Sequence, residues 1–317
     1  MNRHRIIHIL LTGMSVAATA SLTSCFTGVE STQAIKLSRS DTREIAPSAE
    51  DLYLADISGT PLGKWKEGRQ FYVADDKIAV MLVQRTLPVD QSLQPHRGDI
   101  LTYAGTQPEH HPDGSVTAAL ALEGAAGKYL YDTGISMENA PKDFNSLDMA
   151  VLIDMETVHA VDRRMHGNTY WTRTQLWYDD EDEDFVGRKY IPVTVTAVTP
   201  GNMIFPLKVT FQDNSGTEGN YYMNPEDGSQ TSSRRFASLF YLTDLKKQYP
   251  NIEPDVWELI QRGRVRQGMT KQECRLSMGL PADADSGRSY ANTLDLWKYD
   301  GGRYLQFEDG ILVDYRQ

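Results

Sequence analysis

The spacing of apolar and polar positions changes three times along the chain. Near the amino terminus the apolar residues are crowded: Ile6, Ile7, Ile9, Leu10 and Leu11 follow Arg3 and Arg5, and small residues lead on through Ala17, Ala18 and Ala20. Residues 26–49 are polar, rich in Ser and Thr and without sustained period, and residues 25–49 read as a tether. From Asp51 to about Tyr249 short apolar runs are separated by turn residues, which predicts strands. Gln70–Val73 and Ile78–Val83 flank Asp75-Asp76-Lys77 and predict a hairpin; Gly98–Tyr103 begins another strand. Val193–Val198 is β-branched, Thr199-Pro200-Gly201-Asn202 turns the chain, and Leu207, Val209 and Phe211 alternate onto one face. Asn214-Ser215-Gly216 then turns toward Tyr221-Tyr222-Met223.

After residue 250 the period lengthens. Pro254 suits a first helical turn, and Val256, Leu259 and Ile260 follow at helical spacing until Gly263. Thr270 and Glu273 stand at capping-box spacing, with Met269 and Cys274 at the staple positions around them. Gly279 fits a left-handed cap, Leu280 is placed to pack back, and Pro281 forbids continuation. Three strands are predicted next: Leu294–Tyr299; Arg303–Phe307 with Leu305 and Phe307 on one face; and a last strand with Ile311, Val313 and Tyr315 on one face, entered through the Asp309-Gly310 turn.

The predicted class is therefore α+β. A β-rich region of one or two small barrel or sandwich modules precedes a two-layer α-α-β-β-β unit. Gly68-Arg69-Gln70-Phe71 and Gly187-Arg188-Lys189-Tyr190 echo one another, which suggests related modules over 50–145 and 146–250, with SH3-like barrels as one form; the last unit covers 251–317.

Chemistry changes the picture most at the start of the chain. A basic head, an apolar middle and a small-residue exit make residues 1–24 a secretory signal. The apolar run is shorter than the roughly 20 residues a span needs. Leu22-Thr23-Ser24-Cys25 looks like a bacterial lipobox, which implies cleavage before Cys25 and acylation there, and hence a membrane partner reached through lipid. Loss of residues 1–24 removes Arg3 and Arg5 and no acidic group, so the net charge moves from −11 to −13. That sign excludes nucleic acid as an expected partner. Cys25 and Cys274 are the two cysteines; with Cys25 acylated no disulfide framework can form.

The carboxy-terminal motifs resemble the BamE family, also called SmpA/OmlA. The residues that carry the resemblance are Gly268-Met269-Thr270-Lys271 with Glu273, Gly279-Leu280-Pro281, Trp297-Lys298-Tyr299 and Phe307-Glu308-Asp309-Gly310-Ile311-Leu312. It covers about the last sixty residues. It implies an envelope lipoprotein whose α+β unit is related to β-lactamase-inhibitory proteins, and a role in outer-membrane assembly or envelope integrity through protein contacts. Every one of these residues also has a structural reason for its place, so the motif points to a fold more than to a site.

No catalytic constellation emerges, and the expected protein is not an enzyme and has no cofactor and no metal. His110 and His111 sit in a Pro-rich stretch expected to be a solvated loop; His159 and His166 lack metal-ligand company. Asp179–Asp184 lacks the glycine and terminal glutamate of a calcium loop. Cys274, without a histidine beside it in sequence, reads as a buried thiol. The leading expectation is a lipid-anchored envelope protein that binds other envelope proteins. The alternatives are a peptidoglycan binder that uses its β modules and the aromatics Trp65, Trp171 and Trp177, or an inhibitor of a secreted hydrolase. Phe26-Thr27 after the cysteine lacks a retention aspartate, and no acidic stretch follows Cys25, so the expected place is the outer membrane, facing the periplasm.

Overall fold

The computed structural model describes residues 46–149, 151–225, 234–289 and 292–317. The expected signal 1–24, the lipid site Cys25 and the tether as far as residue 45 lie outside the described residues. Among the described residues the fold is β-rich α+β: three antiparallel sheets with short helices against them.

A short helix α1 (Ala49–Leu52) opens the described chain, with Ser48 and Asp51 forming a reciprocal cap. The first sheet is built from β1 (Gln70–Val73), β2 (Ile100–His110), β3 (Val116–Gly124), β4 (Gly127–Ser136) and β5 (Leu152–Asp154), in the order β4-β3-β2-β1-β5. Period-two alternation sends Phe71 and Val73 into a core with Trp65, Leu101, Leu120 and Tyr129. Between β1 and β2 lies α2 (Ile78–Met81), and α3 (Ala140–Asp143) follows β4.

Two expectations fail here for identifiable reasons. Ile78–Met81 forms a single helical turn, and the segment Ile78–Val83 is not the second arm of a hairpin with β1. The Asp75 carboxylate accepts the Lys77 N–H at 2.8 Å and bends the chain, and both edges of β1 are already paired, with β2 and with β5. The stretch around His110 is not a loop: Pro108, Glu109 and His110 continue β2 opposite Ala118, Thr117 and Val116. β1 pairs only with the opening residues of β2, so Pro108 lies where no neighbour asks for its missing N–H. Gly105, at φ +120°, sits in the bulge between Tyr103 and Thr106 that lets β2 run this far.

β5 leads directly into α4 (Met155–Met165), whose Val158, Val161 and Met165 cover a second sheet. That sheet contains β6 (Thr169–Thr172), β7 (Leu176–Tyr178), β8 (Asp184–Val186), β9 (Pro192–Pro200), β10 (Leu207–Asp213), β11 (Glu218–Met223) and β12 (Phe240–Tyr241), the last preceded by α5 (Phe236–Leu239). The strand order is β12-β6-β9-β10-β11-β7-β8. Leu207, Val209 and Phe211 fill its core as the alternation predicts. On β9 the buried positions run Val193, Val195, Val198, because a bulge against Thr210 and Phe211 turns Thr196 outward. Leu54, just after α1, belongs to this second core rather than to the first.

The last unit has α6 (Pro254–Gln261), α7 (Lys271–Met278) and a sheet in the order β13 (Asp283–Ser289), β14 (Asn292–Lys298), β15 (Tyr304–Glu308), β16 (Ile311–Arg316). Thr270 and Glu273 make the predicted reciprocal cap, and Met269 and Cys274 are buried on either side of it. Asp309 (φ +47°) and Gly310 (φ +86°) supply the two positive-φ positions of a tight hairpin.

Four details differ from expectation. The sheet has four strands: β13 carries no apolar residue larger than Ala284, so no apolar alternation announces it. Gly279 has positive φ but an extended ψ of −165°, not the left-handed helical cap. Leu280 is exposed rather than packed back. On β16 Leu312 is buried and Ile311 exposed, because a bulge between Gln306 and Phe307 shifts the phase and returns Tyr315 to the core side.

Candidate interaction surface

Gly268, Met269, Thr270, Glu273, Gly279, Pro281, Trp297, Tyr299, Phe307 and Gly310 fall on caps, turns and core. Gly268, at φ +90°, donates its N–H to the Leu312 carbonyl at 2.9 Å. Trp297 packs on Phe307 with ring centroids 4.7 Å apart, and the Arg275 guanidinium covers its other side at 5.6 Å. Tyr299 closes the end of α7 by donating its hydroxyl to the Gly279 carbonyl at 3.2 Å, and burial pushes that phenol above its ordinary range. Pro281, half-buried, follows directly. None of these groups faces a reactive partner, and their work is to hold the unit together.

The buried Cys274 thiol fits the same pattern. Burial pushes it up to about 12, so it is protonated at neutral pH and a poor nucleophile. A maleimide reagent at neutral pH is therefore expected to leave Cys274 unmodified in the folded chain and to modify it fully in denaturant; mass spectrometry of the two samples reads the difference. Beside it, Asp295 is buried between Lys271 and Ser286, and the Lys271 ammonium holds its carboxyl below the usual carboxylate range. A depressed folded-state value contributes stability above the ordinary carboxylate range and loses it as pH falls through the folded value. The stability gap between wild type and Asp295→Asn should be fully open near pH 7 and narrow only once pH falls below the ordinary carboxylate range; thermal unfolding on acidification checks it.

The helix pair and the four-stranded sheet leave one broad face open. Cross-strand neighbours share a face. Trp297, Leu305 and Tyr315 lie across from one another on the helix side. On the opposite side Leu296 lies beside Gln306 and Asp314, Lys298 beside Tyr304 and Arg316, and Leu294 beside Glu308 and Ile311. Leu294, Leu296, Tyr304 and Val313 are half-buried and Ile311 is exposed. Lys298 reaches Asp283 at 3.1 Å and Asp285 at 2.6 Å, and the Tyr304 hydroxyl donates to Asp314 at 2.8 Å. The face is thus a mosaic of apolar and paired polar groups. The β16 edge beside it is closed by residues 268–271, since Leu312 donates to the Met269 carbonyl at 2.8 Å and Lys271 to that of Gly310 at 3.1 Å. β13 is the outer strand at the other side, with no further strand beside it among the described residues.

This unit is latched to the second sheet by the segment that echoes Gly68–Phe71. Lys189 donates its backbone N–H to the Gln261 carbonyl at 3.1 Å and its ammonium to Ser277 at the end of α7 at 2.5 Å, where the helix dipole favours a cation. Arg188 Nη2 donates to Gln261 Oε1 at 2.8 Å. Its counterpart Arg69 forks onto Asp154, at 3.0 and 2.6 Å. The two tetrapeptides differ in backbone, since Gly68 has φ +93° and Gly187 is not in the left-handed region.

The remaining candidates for chemistry are spent elsewhere. His111 Nε2 lies 2.7 Å from Thr117 Oγ1 and 3.2 Å from Asp132 Oδ2, and Thr117 donates to Asp132 at 2.6 Å, so the three polar groups satisfy one another. His159 is exposed on α4 and His166 lies beside Asp162. In the acidic run, Asp182 folds back onto Lys208 and Tyr222; burial raises its carboxyl, but those two contacts outweigh it and the net direction is down. Among the described residues no three His, Cys, Asp or Glu side chains gather where they could hold a metal ion. Trp65 and Trp177 are buried, and Trp171 is half-exposed. A cavity of about 160 Å³ lies between Leu152, Ile153 and Leu207; Asp154 and Thr157 in its wall are engaged with Arg69 and with each other. No family model, curated protein or solved structure matches the chain.

Proposed function

We propose that this chain is a cell-envelope protein, anchored by lipid on Cys25 at the periplasmic side of the outer membrane, that acts by binding other envelope proteins. In this reading residues 251–317 are a BamE-like module serving outer-membrane assembly or envelope integrity. The observation that carries it is the open mosaic face of the four-stranded sheet, set opposite the face that α6 and α7 cover. Half-buried Leu294, Leu296 and Tyr304 offer apolar area there, and the paired charges around them supply register without demanding a charged ligand. The sequence of residues 1–25 supports the anchor.

The test places a photo-cross-linking side chain at Gln306, in the middle of that face, in whole cells. Defined adducts with envelope proteins are expected, together with release of Cys25→Ser chains from the membrane fraction. Cross-linking that returns no defined adduct from a membrane-bound chain refutes the partner reading. Membrane partitioning unchanged in Cys25→Ser refutes the anchor. Of the aromatics behind the peptidoglycan alternative, Trp65 and Trp177 are buried and Trp171 is half-exposed; the hydrolase-inhibitor alternative rests on fold analogy alone.

A further inference from the structure

Residues 78–94 form a compact loop over the outer side of β4. Leu82 bridges to Tyr131, Val83 donates its N–H to the Leu130 carbonyl at 2.8 Å, and Leu130 donates to Thr86 Oγ1 at 3.2 Å. The other foot is the Leu93 carbonyl, which accepts the Tyr129 hydroxyl at 3.3 Å. Between the feet, Gln94 holds the Pro88 carbonyl at 3.1 Å. Closely spaced ends and internal packing are the marks of an Ω-loop.

Ile78 and Leu82 point into the core, while Val80, Met81, Val89 and Leu93 point out. Val80 is 78% exposed and Val89 fully exposed. Single exposed aliphatics are ordinary on a protein surface; four within fourteen residues of one tied-down loop are not.

We propose that this loop contacts the lipid bilayer, dipping its aliphatic crest into the interface of the membrane that carries the anchor. The proposal rests on the lipid-anchor reading above. Two observations choose the bilayer. The first is charge. The mature chain, without residues 1–24, carries net −13, which sets most of its surface against anionic headgroups, but residues 78–94 hold one cation and one anion, Arg85 and Asp90. Both are engaged: Arg85 forks onto Glu109 and depresses that carboxyl, and Asp90 caps Ser92 at 3.0 Å. The second is reach. The chain between Cys25 and Ala46 spans at most about 75 Å even fully extended, so the body stays confined near the bilayer. Under that confinement a weak apolar contact is enough to set the orientation of the body.

The experiment uses the full mature lipidated chain in vesicles of phosphatidylethanolamine and phosphatidylglycerol. A nitroxide is attached at Val89→Cys, and in a second sample at Val186→Cys, an exposed control on β8. Cys274 is buried and Cys25 acylated, so neither competes for the label. The Val89 label should be relaxed more by oxygen than by a water-soluble nickel chelate, and the Val186 label the reverse. Adding Val80→Asp should lower the lipid-exposed fraction at position 89 by about tenfold, the equivalent of losing one buried valine. A Val89 label that stays water-exposed on vesicle-bound protein overturns the proposal. So does a label immobilised only by raising the protein concentration in solution, which would assign the loop to a second copy. Wild-type chain that fails to associate with vesicles at all refutes the anchor instead.

Discussion

Arg69→Ala should cost the fold about 3–5 kcal/mol, the range for removing one partner of a buried ion pair. The Arg69 side chain is 3% exposed and that of Asp154 is fully buried. The guanidinium donates to both Asp154 oxygens, to Glu156 and to Thr60 Oγ1 at 3.2 Å. Asp154 is also the amino-terminal cap of α4: its oxygens accept the Glu156 and Thr157 N–H groups at 3.3 Å and the Thr157 hydroxyl at 2.7 Å. One carboxylate therefore ends a strand of the first sheet, starts the helix that covers the second, and takes its charge balance from the turn before β1. Alanine leaves that carboxylate in the core with no cation. Urea denaturation should show a lower midpoint, and Arg69→Lys should recover only part of the loss, since an ammonium cannot fork. The double replacement Arg69→Met with Asp154→Asn should be milder than the two single losses together, because neither buried charge is stranded. A double variant as unstable as the summed singles would contradict this account.

The second large effect is expected at Trp177. Its indole lies between two glycines: a Cβ built on Gly187 would come within 2.2 Å of the ring and one on Gly219 within 2.6 Å. Phe211 meets it edge to face, with centroids 4.9 Å apart. Trp177→Ala should cost about 3–5 kcal/mol as a large aromatic deletion. Gly219→Ala should cost about 1–3 kcal/mol by overpacking against a ring with nowhere to go. The signature is non-additivity: in a Trp177→Leu background Gly219→Ala should cost clearly less than in wild type, because the added methyl then enters space the indole vacated. Chemical denaturation of the four chains measures the coupling. Equal costs of Gly219→Ala in both backgrounds would place the clash elsewhere.

These two sites also mark the limit of what the sequence discloses. The carboxy-terminal unit is legible because its signals are local. Thr270 and Glu273 are three residues apart, Asp309-Gly310 turns within itself, and Pro254 opens α6 by its own geometry. Arg69 and Asp154 are 85 residues apart, and no local period relates them. Trp177 stands between Leu176 and Tyr178 with nothing local to mark it as core, and the glycines that admit it lie just after β8 and on β11. Ile78–Val83 has strand composition, but both edges of β1 are taken by β2 and β5; the segment turns through Ile78–Met81 and only Leu82 and Val83 reach the β4 edge, so tertiary pairing overrides propensity. β13 is the converse case, a polar segment that becomes a strand because β14 offers it an edge. Of the interaction surface, the sequence discloses the core side through Trp297, Leu305 and Phe307. The register of the outer face depends on the bulge at Gln306 and Phe307, which no spacing rule reveals.

The outermost strand of that last sheet has a bearing on how copies of the chain behave when packed side by side. A bare sheet margin invites a twin to dock along it, and long apolar margins seed fibrils. Here the margin has no long apolar run and is studded with Asp283 and Asp285, whose side chains are more than half exposed. Two molecules sliding together along it would crowd carboxylates and gain no greasy contact. Crowded copies are therefore expected to stay dispersed rather than to zip together along this strand.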